Sequence, residues 1–311
     1  MATRFGSLIE EKVPGAHRLF SAVRLLKCAF DPRIRPFLNF APPGHYYSPL
    51  PTRDAEVAYE ILNDPCARQC SGIALNSDKQ IALLNEFAAY WSDLPWQEEP
   101  NARRYHYGNG WFKAADAVVL ACMLRQFSPS TVVEIGSGFS SACMLDVNEL
   151  FLRGGTTFEF VEPNPERLVA LLRADDRERS RIHPSRVQVL PVSFFDVLGA
   201  GDVLFVDSSH VAKRGSDVVH LFFNVLPSLR PGVLIHFHDI SWPFEFPEHL
   251  FRMGIAWNEP YLLRAFLQFN TQFELLSWHS YLASCHKESL ATAHPILREQ
   301  VNSSIWLRRR P

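Results

Sequence analysis

Ten residues, Val132-Val133-Glu134-Ile135-Gly136-Ser137-Gly138-Phe139-Ser140-Ser141, constrain this chain more than any other stretch, because they join an apolar strand to a glycine turn and then to an opening helix. Gly136 and Gly138 can adopt backbone angles closed to other residues and let main-chain N–H groups approach a ligand. Ser140 and Ser141 fall where a helix N-terminus begins, so the element is built to cradle a nucleotide. A second apolar run, Thr157-Phe158-Glu159-Phe160-Val161, ends at Glu162, where a carboxylate can hold the two hydroxyls of a ribose.

A glycine-rich strand–turn–helix with a strand-end acid suits a nicotinamide enzyme as well as a methyl-transferring one. Three details separate them. Ser141 stands where G-x-G-x-x-G requires its third glycine, Glu134 sits two residues before the first glycine, and a further strand, Asp202–Val206, ends at Asp207. A suitably placed Tyr-x-x-x-Lys proton relay is also missing. In this order the chain resembles the class I S-adenosylmethionine (SAM)-dependent methyltransferases. The resemblance implies that the E-x-G-x-G loop wraps the methionine part of SAM, that Glu162 binds ribose, and that the fourth strand points into the acceptor site. The cofactor contacts so implied are Glu134, Gly136, Ser137, Gly138, Ser140, Glu162, Ser193 and Asp207.

From Thr131 onward strands and helices alternate. After Glu162 come a helix through Pro165–Arg173, a third strand at Arg186–Val192, the fourth strand to Asp207, a helix through Asp217–Leu226, and a fifth strand at Val233–Phe237. Phe273–Trp278 and Ser304–Leu307 form a closing pair. This pattern predicts an α/β, Rossmann-like fold: a mainly parallel seven-stranded sheet with an antiparallel last strand, helices on both faces and ligands at the carboxyl strand ends. An apolar-periodic helix over Lys113–Gln126 precedes the first strand, and the segment entering it offers Tyr107, Asn109 and Asp116 as cofactor contacts or as core. Residues 104–311 read as the methyltransferase domain.

Asp207-Ser-Ser-His210 and His236-Phe-His238-Asp239 look like the branch of small-molecule and sugar O-methyltransferases carrying D-x-x-H and strand-end H-D motifs. An alcohol is a weak nucleophile at neutral pH, so its methylation calls for a general base or a metal that lowers the hydroxyl pKa. Asp207, His210, His238 and Asp239 are the catalytic candidates, with His210 the preferred base because a free imidazole titrates near pH 6.5. The metal variant uses Asp207, His238 and Asp239 as ligands of Mg²⁺ or another divalent ion, with the weakness that Mg²⁺ prefers oxygen to imidazole. Trp242-Pro243-Phe244-Glu245-Phe246-Pro247 and Trp257-Asn258-Glu259-Pro260-Tyr261 supply aromatics and a carboxylate after the fifth strand, suited to a sugar or polyketide acceptor, to a subunit interface of a homo-oligomer, or to core. The competing functions are a nicotinamide-dependent oxidoreductase and a non-catalytic SAM-binding subunit.

Residues 1–103 read as a helical, proline-rich extension that caps the active site, with helical patterns at Ala16–Phe30, Asp54–Leu62 and Asp78–Trp91. Between the first two lies Phe37–Pro51, whose four prolines forbid a continuous helix and whose His45, Tyr46 and Tyr47 suit a lid. A formal charge of −2 and a pI near 6.6 offer no electrostatic reason to bind nucleic acid, and Arg308-Arg309-Arg310 reads as a solvated end. No apolar run approaches a bilayer span and no leader pattern opens the chain, so the expectation is a cytoplasmic protein without a membrane partner. Of the six cysteines, Cys28, Cys122, Cys143 and Cys285 sit among apolar neighbours as buried thiols, and the Cys66/Cys70 pair lacks the third cysteine a cluster or zinc site needs.

Overall fold

A computed structural model describes residues 23, 26–52, 70–245 and 247–311. The helical patterns expected at Asp54–Leu62 and over most of Ala16–Phe30 lie outside the described residues, as does Cys66. Contacts divide the chain into two compact units, one of residues 1–58 with 251–256 and one of residues 59–250 with 257–311. In the first, Arg35–Phe40 forms a short helix that buries none of its residues, and the His45 ring stacks on Tyr46 at 4.3 Å.

The second unit holds a seven-stranded sheet: β1 (Thr131–Ile135), β2 (Thr157–Val161), β3 (Ser180–His183), β4 (Val203–Val206), β5 (Leu234–Phe237), β6 (Phe273–Trp278) and β7 (Ile305–Arg309). Their order is β3-β2-β1-β4-β5-β7-β6, and β7 runs antiparallel to both its neighbours. This is the topology expected from the alternation and the closing pair. Helices cover both faces of the central strands, which is why β4 and β5 are apolar throughout except for His236 and every residue of both is buried. The chain crosses from β1 to β2 on one side and reaches β4 on the other, which opens a crevice above β1. Register then decides what lines it: Ile135 pairs with Val161 and with Val206, and Val206 with Phe237. Gly136, Glu162, Asp207 and His238 each follow one of these residues, so all four emerge along one edge.

The third strand is not where periodicity puts it. β3 is Ser180–His183, and Val187–Val189 and Val192–Val197 are single helical turns. Pro184 lacks the N–H that would extend the ladder, and the His183 carbonyl makes the closing bond to Glu162 N at 3.1 Å. The valine alternation that imitated a strand divides differently, with Val187 buried and Val189 62% exposed.

Residues 70–103 belong to the sheet unit, which moves its near boundary back from 104. Helix Ser77–Glu86 lies along β6: Gln80 is buried, donates to Leu75 O at 2.6 Å and accepts from Trp278 N at 2.7 Å. Lys79 pairs with Glu274 at 2.7 Å, and Leu84, Phe87 and Trp96 join the common core. Arg308 and Arg310, expected to be a solvated end, also pair with Glu274, so the basic terminus is part of the β6–β7 ladder. Cys28, Cys70, Cys122 and Cys143 are free thiols. Among the described residues no helix is long and apolar enough to cross a membrane.

Candidate active site

The glycine loop is shaped from beneath. Gly136 has φ +85°, and a Cβ there would lie 1.8 Å from the Asp207 carbonyl oxygen, so only glycine lets β1 and β4 end this close together. Glu134 is fully buried; its carboxylate accepts from Ser140 Oγ at 2.5 Å and from Ser141 Oγ. Burial pushes the Glu134 carboxyl up to about 8, against the two serine hydroxyls that favour its charged form. Ser141 Oγ in turn accepts the Gly138 N–H at 3.0 Å. Glu134 and Ser140, expected as cofactor contacts, therefore act here as internal supports of the loop.

Glu162 faces the crevice. Its carboxylate accepts the backbone N–H of Ser137 at 3.2 Å and of Asn164 at 2.7 Å, which fixes the second strand's acid beside the loop. A cleft of about 410 Å³ runs from Gly136 past Glu162, Arg186 and Val187 to Asp207 and Ser209. Its volume falls within the usual range for a small-molecule site. The glycine cradle, the strand-end acid Glu162 and this volume fit SAM. Ser193 does not line the cleft; with the third strand displaced, Arg186, Val187 and Gln188 occupy that side.

The catalytic candidates converge at the ends of β4 and β5. His210 is 4% exposed, in the left-handed region at φ +58°, with its ring 4.3 Å from that of Trp257. Its Nδ1 lies 2.8 Å from Glu259, and its Nε2 lies 3.3 Å from Asp207 and 3.9 Å from Asp239. Burial works against a charged ring, but Asp207 and Glu259 outweigh it and push His210 up to about 10. The imidazole is thus charged at neutral pH, not the free base that its ordinary pKa suggests. Asp207 is held below the usual carboxylate range: burial would raise it, and the charges of His238 and His210 prevail.

His238 stands between two acids at longer range, with Nδ1 3.9 Å from Asp116 and Nε2 3.9 Å from Asp239, neither within hydrogen-bond distance. Burial lowers its pKa, but Asp207, Asp116 and Asp239 together raise it. Asp116, a candidate cofactor contact in sequence, is instead sealed in the interior behind His238, and burial pushes it up to about 6. Asp239, at φ +55°, accepts from Ser303 Oγ at 3.0 Å. His236, which shares its strand face with His238, is core: its ring stacks 4.0 Å from Phe205, and burial holds it neutral. Asn109 is a turn builder, accepting from Trp111 N and Phe112 N, both at 2.8 Å, while Tyr107 packs beside Trp96 and Tyr105.

The donor set suits a metal poorly. Among the described residues no three histidine, cysteine or acidic side chains are gathered as an ion requires. The His210 ring already stands 3.3 Å from Asp207 and 3.9 Å from Asp239, the carboxylates that a cation would claim. Sequence reasoning missed the role of Glu259. The only local signal was an acid before a proline at a helix start, and its partner lies 49 residues away.

Residues 133–240 match the family model described as a methyltransferase domain. An uncharacterized protein of Archaeoglobus fulgidus is 31% identical over 169 residues, covering 50% of this chain and 73% of that protein. Solved structures similar to the chain include the O-methyltransferase TomG from Streptomyces achromogenes in complex with SAM (13% identity, TM-score 0.42, 74% of this chain and 90% of that one). Another is a methyltransferase from Podospora anserina bound to S-adenosylhomocysteine (13% identity, TM-score 0.39, 75% and 88%). With the glycine loop and the β3-β2-β1-β4-β5-β7-β6 sheet, the family-model match supports a SAM-dependent methyltransferase. Residues 133–240 therefore belong to the methyltransferase-domain family.

Proposed function

We propose that the protein methylates a hydroxyl of a small molecule or glycan unit. The observation that carries this reading is the pair of imidazoles, each backed by a buried acid and turned toward Asp239 beside the cofactor cleft. When bound, the cofactor supplies a methyl carbon activated by a sulfonium, which passes to the acceptor oxygen as its bond to sulfur breaks. The chain's residues align the acceptor and remove its proton. Glu259 fixes Nδ1 of His210 as the protonated nitrogen, so Nε2 is the atom that exchanges a proton, the division of labour of a buried acid behind a catalytic imidazole. Asp207 holds the Nε2 proton less firmly once positive charge stands on its cleft side, so that proton leaves to solvent, and the neutral ring, still protonated at Nδ1, then accepts the hydroxyl proton at Nε2. Trp257, against the His210 ring, offers an aromatic face to an acceptor.

The test is turnover on a panel of hydroxyl-bearing sugars and phenols, followed by S-adenosylhomocysteine release. His210→Ala should lower kcat by roughly 10²–10⁴-fold and leave S-adenosylhomocysteine affinity unchanged. Activity lost to EDTA and restored by Mg²⁺ would replace the histidine reading with metal activation. Turnover on amines with none on hydroxyls would overturn O-methylation.

A further inference from the structure

At the glycine loop the backbone donors that ordinarily receive an anion are already used. Gly136 N–H goes to Val161 O at 3.0 Å, Ser137 N–H to Glu162 and Gly138 N–H to Ser141 Oγ. The methionyl end of the cofactor carries an α-carboxylate, and these three amides have nothing left to offer it. A side-chain cation stands at the same place. A Cβ built on Gly138 would lie 3.3 Å from Arg167 Cδ and 3.7 Å from its Nη1, so the guanidinium lies directly over the loop. Asp207 stands at the loop's other glycine, where a Cβ built on Gly136 would meet its carbonyl oxygen. Cation and acid thus flank the loop as a zwitterionic amino-acid group requires, with carboxylate toward Arg167 and ammonium toward Asp207.

Arg167 is held in position by Trp111, whose ring centroid is 3.7 Å from Cζ. The indole is fixed by the Asn109 turn described above and by Arg104, which anchors the segment to the glycine-loop helix through Asp146 at 3.0 Å and to Asp176 at 2.6 Å. An isolated surface cation–π pair needs no such scaffolding.

We propose that Arg167, stacked on Trp111, binds the α-carboxylate of the cofactor. The inference rests on the cofactor reading above. Calorimetry with two ligands tests it: S-adenosylhomocysteine, and 5′-methylthioadenosine, which keeps thioether, ribose and adenine but lacks carboxylate and ammonium. Arg167→Met should weaken S-adenosylhomocysteine by roughly 10- to 100-fold, the loss of a charge-assisted hydrogen-bonded pair, and change methylthioadenosine by less than about twofold. Arg167→Lys should fall between Met and wild type, and Trp111→Ala should weaken S-adenosylhomocysteine alone. Equal losses for both ligands, or undiminished S-adenosylhomocysteine binding by Arg167→Met, would overturn the assignment while leaving the cofactor in place. Wild-type protein that binds neither ligand would overturn the cofactor reading and this inference with it.

Discussion

Replacing Gly136 by alanine tests the central claim that the cleft depends on the close approach of β1 and β4. Two costs add. At φ +85° an L-residue pays about 1–2 kcal/mol for its Cβ. That Cβ would also lie 1.8 Å from the Asp207 carbonyl oxygen, whereas ordinary contact begins at 3.4 Å, so 3.4 − 1.8 = 1.6 Å must open between two backbones. The Asp207 N–H bond to Ile135 O at 2.8 Å ties those backbones together and resists the opening. Forcing such a shift costs about 1–3 kcal/mol. The expected total is about 2–5 kcal/mol, less than the stability of most domains, so the protein folds but its cleft is deformed. Urea unfolding should show a lower midpoint at unchanged slope, and calorimetry should show S-adenosylhomocysteine binding largely lost. Gly201→Ala is the control: its φ is +87° but its nearest neighbour is 4.0 Å away, so it should show the conformational cost with binding intact. A Gly136→Ala protein with wild-type midpoint and affinity would refute the reasoning.

Three further outcomes are expected. Glu162→Ala should weaken S-adenosylhomocysteine at least about tenfold if Glu162 holds the ribose hydroxyls, because it also removes the partner of the Ser137 and Asn164 amides; calorimetry reads this directly. His210 ties stability to pH in one direction and activity in the other. Its folded pKa of about 10 exceeds the ordinary 6.5, so its stabilisation is complete below about pH 6.5 and is lost as pH rises through 10, while kcat/KM rises over that interval as the ring becomes a base. Glu259→Gln should move both curves to lower pH, and a kcat/KM profile flat from pH 6 to 10 would contradict His210 as base. Arg104→Met should cost about 3–5 kcal/mol in urea unfolding, since it strands the buried Asp146 and Asp176 without their cation.

Sequence alone determined the central strands, the glycine turn and the acids that follow them. β1, β2, β4 and β5 are short apolar runs, and each meets its functional residue at the very next position, so one local pattern encodes strand, turn and site together. The antiparallel closing pair was legible for the same reason. β3 was not, because an edge strand needs little apolar patterning, and Ser180–His183 carries less of it than the valines of 187–192 that the fold spends on turns. The roles of the polar residues were decided only by tertiary structure. Glu134 has the sequence position of a cofactor ligand, yet its side chain turns inward to two serines, and nothing in the order of residues specifies that rotation. His210 reads as a free imidazole until Glu259, brought by a helix after β5, and Asp207, brought by β4, close on both its nitrogens. Secondary structure follows from neighbours along the chain, whereas a pKa follows from neighbours in space at a few ångströms. The chemistry of this site therefore became visible only once the sheet had brought its strand ends together.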